Sequence, residues 1–342
     1  MTETSLEAGF DTILSYTEYT ADKNVFTERF ESCVRLSRSL SDAFDIYAET
    51  WPGDSLAAVN ANAGIAPVHV SDDVMEMLLR AKQMYDITGG AFDVTAGRLT
   101  GLWHAYREDG IEANNAGSPG RIPEQQEIQE AMSERGWSHI HLDPSLSTVY
   151  IDTPDIALDA GGIAKGYAAE QIAQSAEQDG AECAMVNAGH NIRTIGTKPS
   201  DKPWVIAIAS VDDDPIEMAR ITLPGSMSFV TSGDYERYYT GEDGKRYHHI
   251  TDMKTGWPAE NFHSVTIIAE DACDADALST ALFTVSVTEG RAILAAYEKS
   301  TGRHADAVWI MDPEKAEEAG VPCGAYTLIA TEGIRDALEV RR

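Results

Sequence analysis

Apolar positions recur in two periods along this chain, and each period predicts an element. Residues 12–20 read as a first strand. Val25, Phe26, Phe30, Cys33, Val34 and Leu40 then fall at helical spacing. Residues 44–62 read as a strand and loop, with Pro52-Gly53 as the turn. Ser71 is the expected N-cap of a helix over 72–87, because Asp72 and Asp73 fall in its first turn, where the helix dipole favours acids. Thr88-Gly89-Gly90 ends that helix. Several Gly, Asn and Pro residues make 108–121 a long surface loop, after which Pro123 opens a helix ending at Gly136.

The second half alternates strand-like and helical runs over 148–159, 165–179, 182–187, 204–210 and 227–231. A strand over 263–269, helices over 276–287 and 289–298, and strands near Val308 and Leu328 complete the pattern. No repeat and no low-complexity linker divides the chain. Strands and helices mix irregularly, which favours α+β over a doubly wound sheet. The expected architecture is a single large domain over 8–335, of two sublobes with mixed sheets and flanking helices.

Composition narrows the partners. Apolar residues make up 43% of the 342, enough for a sizeable core, so overall disorder is excluded. Asp and Glu number 56 against 26 Lys and Arg, a formal charge of -30 that repels nucleic acid and anionic lipid. The acidity is spread along the chain and reads as solvation of the exterior. Cys33, Cys183, Cys273 and Cys323 form no Cys-x-x-Cys pair, so buried free thiols are expected, and no zinc site or disulfide framework. The first residues, Met1 to Glu7, lack the basic start and apolar run of a signal peptide, and no stretch is apolar enough to span a bilayer. A cytoplasmic enzyme without a membrane anchor is the expectation.

Candidate chemistry lies in a few short segments. Asp276 and Thr280 are four apart in a helical run, which stacks both oxygens on one face. A carboxylate beside a hydroxyl suits a hard cation such as Mg²⁺, shared with phosphates; capping plus a back-bonding threonine is the structural alternative, with Asp274 the better cap. Asp159-Ala-Gly161-Gly162-Ile-Ala-Lys165-Gly166 leads from a strand into a helix. Its glycines let backbone approach a ligand, a helix start attracts phosphate, and Lys165 adds a point charge. Taken alone, such a turn is more often structural. Asn187-Ala-Gly189 and Thr88 to Thr95 offer similar backbone nests or plain turns. His248 and His249 point to opposite faces if extended, so only one enters a given site.

Together these segments resemble the ApbE family, flavin transferases that move FMN from FAD onto a protein. The matching blocks, in order, are Phe10-Asp11-Thr12, Thr88 to Thr95, Leu102-Trp103, Asp159 to Gly166, Asn187-Ala-Gly189, Thr231 to Arg237, His248 to Asp252 with Thr255-Gly256, and Asp276-Ala-Leu-Ser-Thr280. They span nearly the whole chain. The resemblance implies Mg²⁺ held by Asp276, Thr280 and the Gly162 carbonyl. It implies FAD contacts at Asp159 and Lys165 and a base at His249. Phe10 takes the place of an early flavin contact, and Tyr47 or Trp51 supplies a stacking aromatic. Asp93, Val94, Thr95, Gly161, Asn187, Gly189 and Ile250 complete the implied FAD site. Two residues depart from the family pattern: His190 stands where a second glycine is usual, and Met253 replaces a proline.

The implied reaction is Mg²⁺-dependent transfer of FMN from FAD to a Ser or Thr hydroxyl of an acceptor flavoprotein, with AMP released. The acceptor is expected to carry a short Ser/Thr-Gly-Ala-like motif. Two other readings stay open: an FAD pyrophosphatase, with water in place of the hydroxyl, and a non-catalytic FAD-binding protein.

Overall fold

In the computed structural model, which describes residues 1–212 and 217–341, these periods resolve into helices and antiparallel strands. The first half runs β1 (Thr2–Ser5), β2 (Leu14–Glu18), α1 (Lys23–Phe44), α2 (Leu56–Ala61), β3 (Val68–His69), α3 (Asp72–Thr88), α4 (Gly97–Asn115), α5 (Gln125–Ser133), β4 (Ile140–Asp143) and β5 (Thr148–Ile151). The second half runs α6 (Ala164–Gln178), β6 (Ala184–Ala188), β7 (Asn191–Ile195), β8 (Trp204–Ile208), β9 (Ala219–Leu223), β10 (Ser228–Gly233), β11 (Tyr238–Thr240), β12 (Arg246–His248) and β13 (Ser264–Ala269). It closes with α7 (Ala272–Thr284), α8 (Val287–Thr301), β14 (Ala305–Met311), β15 (Val321–Cys323), β16 (Tyr326–Ala330) and β17 (Leu338–Val340).

A nine-stranded sheet in the order β1-β2-β6-β7-β10-β13-β14-β16-β15 organises the molecule. Neighbouring strands are antiparallel, and parallel pairing appears at single bridges such as Ala96 with Ala157. Helices α6 and α7 lie on this sheet and against each other. Leu278, Ala281 and Leu282 of α7 join Val230, Val265 and Ile267 of the sheet and Ile163, Ala164 and Tyr167 of the α6 region in one core. Full burial of a Leu such as Leu278 contributes about 1.5–3 kcal/mol. Helix α7 is buried nearly all round, so its polar side chains need protein or ligand partners. The architecture is α+β in a single domain.

Helices α1 and α3 follow the sequence pattern, and Ser71 caps α3 through the Val74 N–H. Three expectations are corrected. Residues 44–62 contain the short helix α2, begun by Ser55, whose hydroxyl accepts the Ala58 N–H at 3.3 Å. Residues 108–115 belong to α4, where a surface loop was expected. Gly110 and Asn114 have poor helix propensity, but Gly110 lies against the Tyr239 ring and Asn114 holds both N–H and C=O of Thr240. Tertiary contacts override propensity there. Helix α7 also starts earlier than expected: Asp271, not Asp274, is its N-cap.

Candidate active site

The glycine-rich segment meets α7 at the start of α6. A Cβ on Gly166 would lie 2.4 Å from the Asp276 Cβ, so the helices cross where only glycine fits. Asp276 is 4% exposed, and its Oδ2 accepts the Gly166 N–H at 2.8 Å. Burial pushes its carboxyl above the usual range, while the Lys165 charge and the Gly166 hydrogen bond pull it down. One turn on, Thr280 Oγ1 lies 3.4 Å from the Gly162 carbonyl. A Cβ on Gly162 would come within 3.0 Å of that hydroxyl. The expected trio of Asp276, Thr280 and Gly162 is therefore assembled. A buried carboxylate with no ion pair among the described residues, beside a hydroxyl and a carbonyl, is a donor set that fits a hard cation.

The Asp159 end is held by a separate network. Its Oδ1 accepts the Gly161 N–H at 2.8 Å, and its Oδ2 accepts the Thr100 hydroxyl at 2.7 Å and the Tyr47 hydroxyl at 3.2 Å. The Asp159 N–H donates to the Val94 carbonyl at 2.8 Å, which lays 93–95 beside the glycine-rich segment. Within that strip Asp93 Oδ1 accepts the Thr95 N–H and hydroxyl at 2.9 and 2.7 Å, while burial pushes the Asp93 carboxyl up. Tyr47 stacks on His104, ring centroids 3.9 Å apart, and burial then Asp159 raise its hydroxyl pKa. Tyr47 is thus joined to the site. Tyr47 and Trp51 are similarly exposed, at 47% and 44%, and of the two only Tyr47 makes a side-chain hydrogen bond or ring stack among the described residues.

Phe10 and Asp11 have φ of 58° and 50°, a region that side chains rarely adopt. Phe10 is held there by the Ser41 hydroxyl, which accepts its N–H at 2.9 Å, and by Arg237, which donates to its carbonyl at 3.4 Å. Gly189 has φ of 58°, and a Cβ on it would lie 2.3 Å from Thr12 Oγ1, so two of the sequence blocks meet here. Asn187 Oδ1 accepts the His190 N–H at 3.2 Å. His190 itself pairs with Glu236 at 2.6 Å, and that hydrogen bond raises its imidazole pKa.

The adjacent histidines have different environments. His248 is buried, donates from Nε2 to the Ala259 carbonyl at 2.7 Å and accepts the Ile250 N–H on Nδ1 at 3.2 Å. Both its nitrogens are occupied, a structural histidine. His249 has a buried Nδ1 with no hydrogen-bond partner among the described residues. Burial, then His248, Lys165, Arg237 and Arg107, hold its imidazole well below the ordinary range. A neutral, unpartnered imidazole is what a general base requires.

Sequence reasoning missed Thr100, His104 and Arg107 of α4. No motif marks them: Thr100 and His104 meet Asp159 and Tyr47 from distant segments, and Arg107 meets His104 on its own helix. Two other features stand apart from this site. Asp271, Cys273 and Asp274 converge, but Arg80 and Arg303 neutralise both carboxylates, so the cluster is an ion-pair network. A cavity of about 500 Å³ lined by Tyr247, His248, Trp257 and Ala259 includes none of Asp159, Lys165, His249 or Asp276.

Comparison with known proteins supplies an independent view of this arrangement. The chain is 31% identical over 268 residues to the FAD:protein FMN transferase of Klebsiella pneumoniae (strain 342), covering 78% of this chain and 75% of that protein. It is 34% identical over 254 residues to the FAD:protein FMN transferase of Treponema pallidum (strain Nichols), covering 70% and 67%. Its fold matches the crystal structure of the ApbE protein of Thermotoga maritima with a TM-score of 0.77 and 29% identity, over 100% of this chain and 99% of that one. The flavin transferase ApbE of Vibrio cholerae matches with a TM-score of 0.74 and 25% identity, over 98% of each chain. A sequence profile of the ApbE family matches residues 10–302, and the chain belongs to that family.

Proposed function

We propose that this enzyme transfers FMN from FAD to a Ser or Thr hydroxyl of an acceptor flavoprotein and releases AMP. Relatives 30–35% identical over most of the chain carry the transferase assignment. The observations that support the finer reading are the convergence of Asp276, Thr280 and the Gly162 carbonyl at the glycine-rich segment that carries Lys165, and the buried, unpartnered Nδ1 of His249.

In this reading the acceptor oxygen attacks the FMN phosphorus and forms a new P–O bond. The pyrophosphate bond to AMP breaks, and AMP departs with the electron pair. His249 takes the hydroxyl proton on its neutral imidazole. Lys165 and the backbone at Gly161 and Gly162 steady the phosphate oxygens. Asp276, Thr280 and the Gly162 carbonyl would hold Mg²⁺, which when bound would neutralise phosphate charge. Asp159 and the Asp93-Val94-Thr95 strip line the FAD site, with Phe10, Asn187, Gly189 and Ile250 on its other walls. Tyr47, joined to Asp159, is the aromatic for the flavin ring; Trp51 is not.

All four cysteines are buried and free, which supports a reducing, cytoplasmic setting. No helix among the described residues is long and apolar enough to cross a membrane.

The test is incubation with FAD, Mg²⁺ and an acceptor carrying a Ser/Thr-Gly-Ala motif, read by intact mass of the acceptor and by AMP release. The expected result is an FMN-sized mass gain, lost in His249→Ala and Asp276→Ala. Free FMN and AMP with an unmodified acceptor would instead identify a pyrophosphatase. Tight FAD binding without turnover would leave a flavin carrier.

A further inference from the structure

Ile140 and Leu142 of β4 pack into the core, so His139 and His141 face solvent on one side of the β3-β5-β4 sheet. They form the one His-x-His in a chain of nine histidines. Asp152 follows β5 and lies across from His139, to whose carbonyl its N–H donates at 3.1 Å. Its carboxylate sits between the two imidazoles. Oδ1 is 2.7 Å from His139 Nδ1, and Oδ2 is 2.8 Å from His141 Nε2. The His141 ring also stacks on Tyr150, centroids 6.0 Å apart, which steadies its direction.

The fold does not account for this trio. Side-chain exposures of 47% for His139, 55% for His141 and 36% for Asp152 leave it open to solvent, where such pairs add little stability. Among the described residues the three side chains hold no backbone group, and no Lys or Arg pairs with Asp152. Asp271 and Asp274 differ in that respect, since Arg80 and Arg303 cancel their charges. Hydrogen bonds from His141 and His139 hold the Asp152 carboxyl below the usual range, so it is ionised at neutral pH. Two imidazoles two apart on a strand project from one face, and the carboxylate adds a third donor with negative charge. Imidazole nitrogen suits first-row transition metals, whereas Mg²⁺ prefers oxygen. In the hydrogen-bonded arrangement each imidazole addresses a different oxygen of Asp152. Closing on one ion takes rotation of these exposed side chains, a fast motion.

We propose that His139, His141 and Asp152 form a surface site for a divalent transition-metal ion of the Zn²⁺ class, with water completing a four-coordinate shell. The site uses none of the cysteines, on which the expectation of no zinc site rested. It lies on the β3-β5-β4 sheet, apart from the residues gathered around Asp276 and His249. Its donors are two nitrogens and a carboxylate, where the Asp276 trio offers oxygen alone. The inference stands independently of the proposed flavin transfer. The formal charge of -30 favours cations at this surface in general, and the two imidazoles supply the selectivity.

The test is calorimetric titration of the full, untagged chain with Zn²⁺ in an excess of Mg²⁺. It compares the wild type with His139→Gln, His141→Gln, Asp152→Asn and Asp276→Asn. The expected result is one Zn²⁺ that Mg²⁺ does not displace, bound alike by the wild type and by Asp276→Asn. Each of the other three variants should bind that ion at least about 10- to 100-fold more weakly, the loss known for removing even an outer partner of a metal ligand. Their melting temperatures in EDTA should match the wild type, because the side chains are exposed. Modification of the wild type by diethyl pyrocarbonate, read by peptide mapping, probes the same site without mutation. Zn²⁺ should shield His139 and His141 and leave His304, 60% exposed, open to the reagent. A wild type that takes up no Zn²⁺ would overturn the assignment, as would an affinity unchanged in both histidine variants. Displacement of the ion by Mg²⁺ would do the same. So would shielding of His304 alone, which would place the ion there.

Discussion

Gly166 and Ala272 approach so closely that a Cβ on the glycine would lie 2.3 Å from the alanine carbonyl oxygen. That contact brings the backbone N–H of Gly166 to the Asp276 carboxylate, so helix packing and the candidate metal site share one atom-level constraint. Gly166→Ala is therefore expected to push α6 and α7 apart. The cost of forcing a methyl into such a contact is about 1–3 kcal/mol. Urea unfolding should show a lower midpoint, and FAD binding with Mg²⁺ should weaken in the folded protein. A variant with wild-type stability would mean that the helices separate freely.

Asp276 is buried without a cationic partner in salt-bridge contact, which costs free energy whenever nothing coordinates it. Asp276→Asn keeps the shape and removes the charge. In EDTA, the expected outcome is a melting temperature equal to or above that of the wild type. Adding Mg²⁺ should then raise the wild-type value and leave the variant unmoved. Equal Mg²⁺ stabilisation of both proteins would place the cation elsewhere.

His249 lies well below the ordinary imidazole range, chiefly through burial and then through its cationic neighbours. In the proposed reaction the neutral form is the base, so activity is expected to be lost only as pH falls through that depressed pKa. The rate of FMN transfer should be level from about pH 6.5, the ordinary histidine value, upward to pH 8. Its acid limb should lie below pH 6.5. An acid limb centred above 6.5 would exclude His249 as the titrating base. His249→Gln is expected to lower transfer by roughly 100- to 10,000-fold, the usual share of a general base.

Away from the site, His263 bridges two carboxylates, Asp234 at 2.8 Å and Asp312 at 3.0 Å. The hydrogen bond to Asp234 raises its imidazole pKa, and the one from His263 lowers the Asp312 carboxyl. The histidine contribution is full below the unfolded value of about 6.5 and is lost as pH rises through the raised folded value. The Asp312 contribution is full above about 4 and is lost as pH falls through the lowered one. The bridge therefore stabilises most between about pH 4 and 6.5. His263→Gln should cost about 1 kcal/mol at pH 6 and much less at pH 9, measured by urea unfolding across that range.

Much of this site was legible in the sequence because its parts are local. The four-residue step from Asp276 to Thr280 fixes both side chains on one helix face wherever that helix begins. The glycines at 161, 162, 166 and 189 were read as places where backbone approaches a ligand or turns; what each lies against in the structure is another part of the protein. What was not legible depends on distant partners. The second half of α4 reads as a loop until Tyr239 and Thr240 are seen to hold it. The short helix after Ser55 was masked by the Pro52-Gly53 turn before it, although the serine cap was present to be read. That Tyr47, and not Trp51, is tied to Asp159 depends on a residue more than a hundred positions away in the chain.

The sheet order also has a temporal side. Strand β10 joins β7 to β13, so the early strands and the late strands become one sheet only after β13 has been made. Residues 276–280 follow still later, while Phe10, Tyr47 and Asp93 have waited since the opening of the chain. On a ribosome that extends the chain from its first residue, no partial product shorter than 280 residues carries Gly162, Asp276 and Thr280 together. A chain stalled before residue 276 therefore lacks both Asp276 and Thr280 of the candidate site.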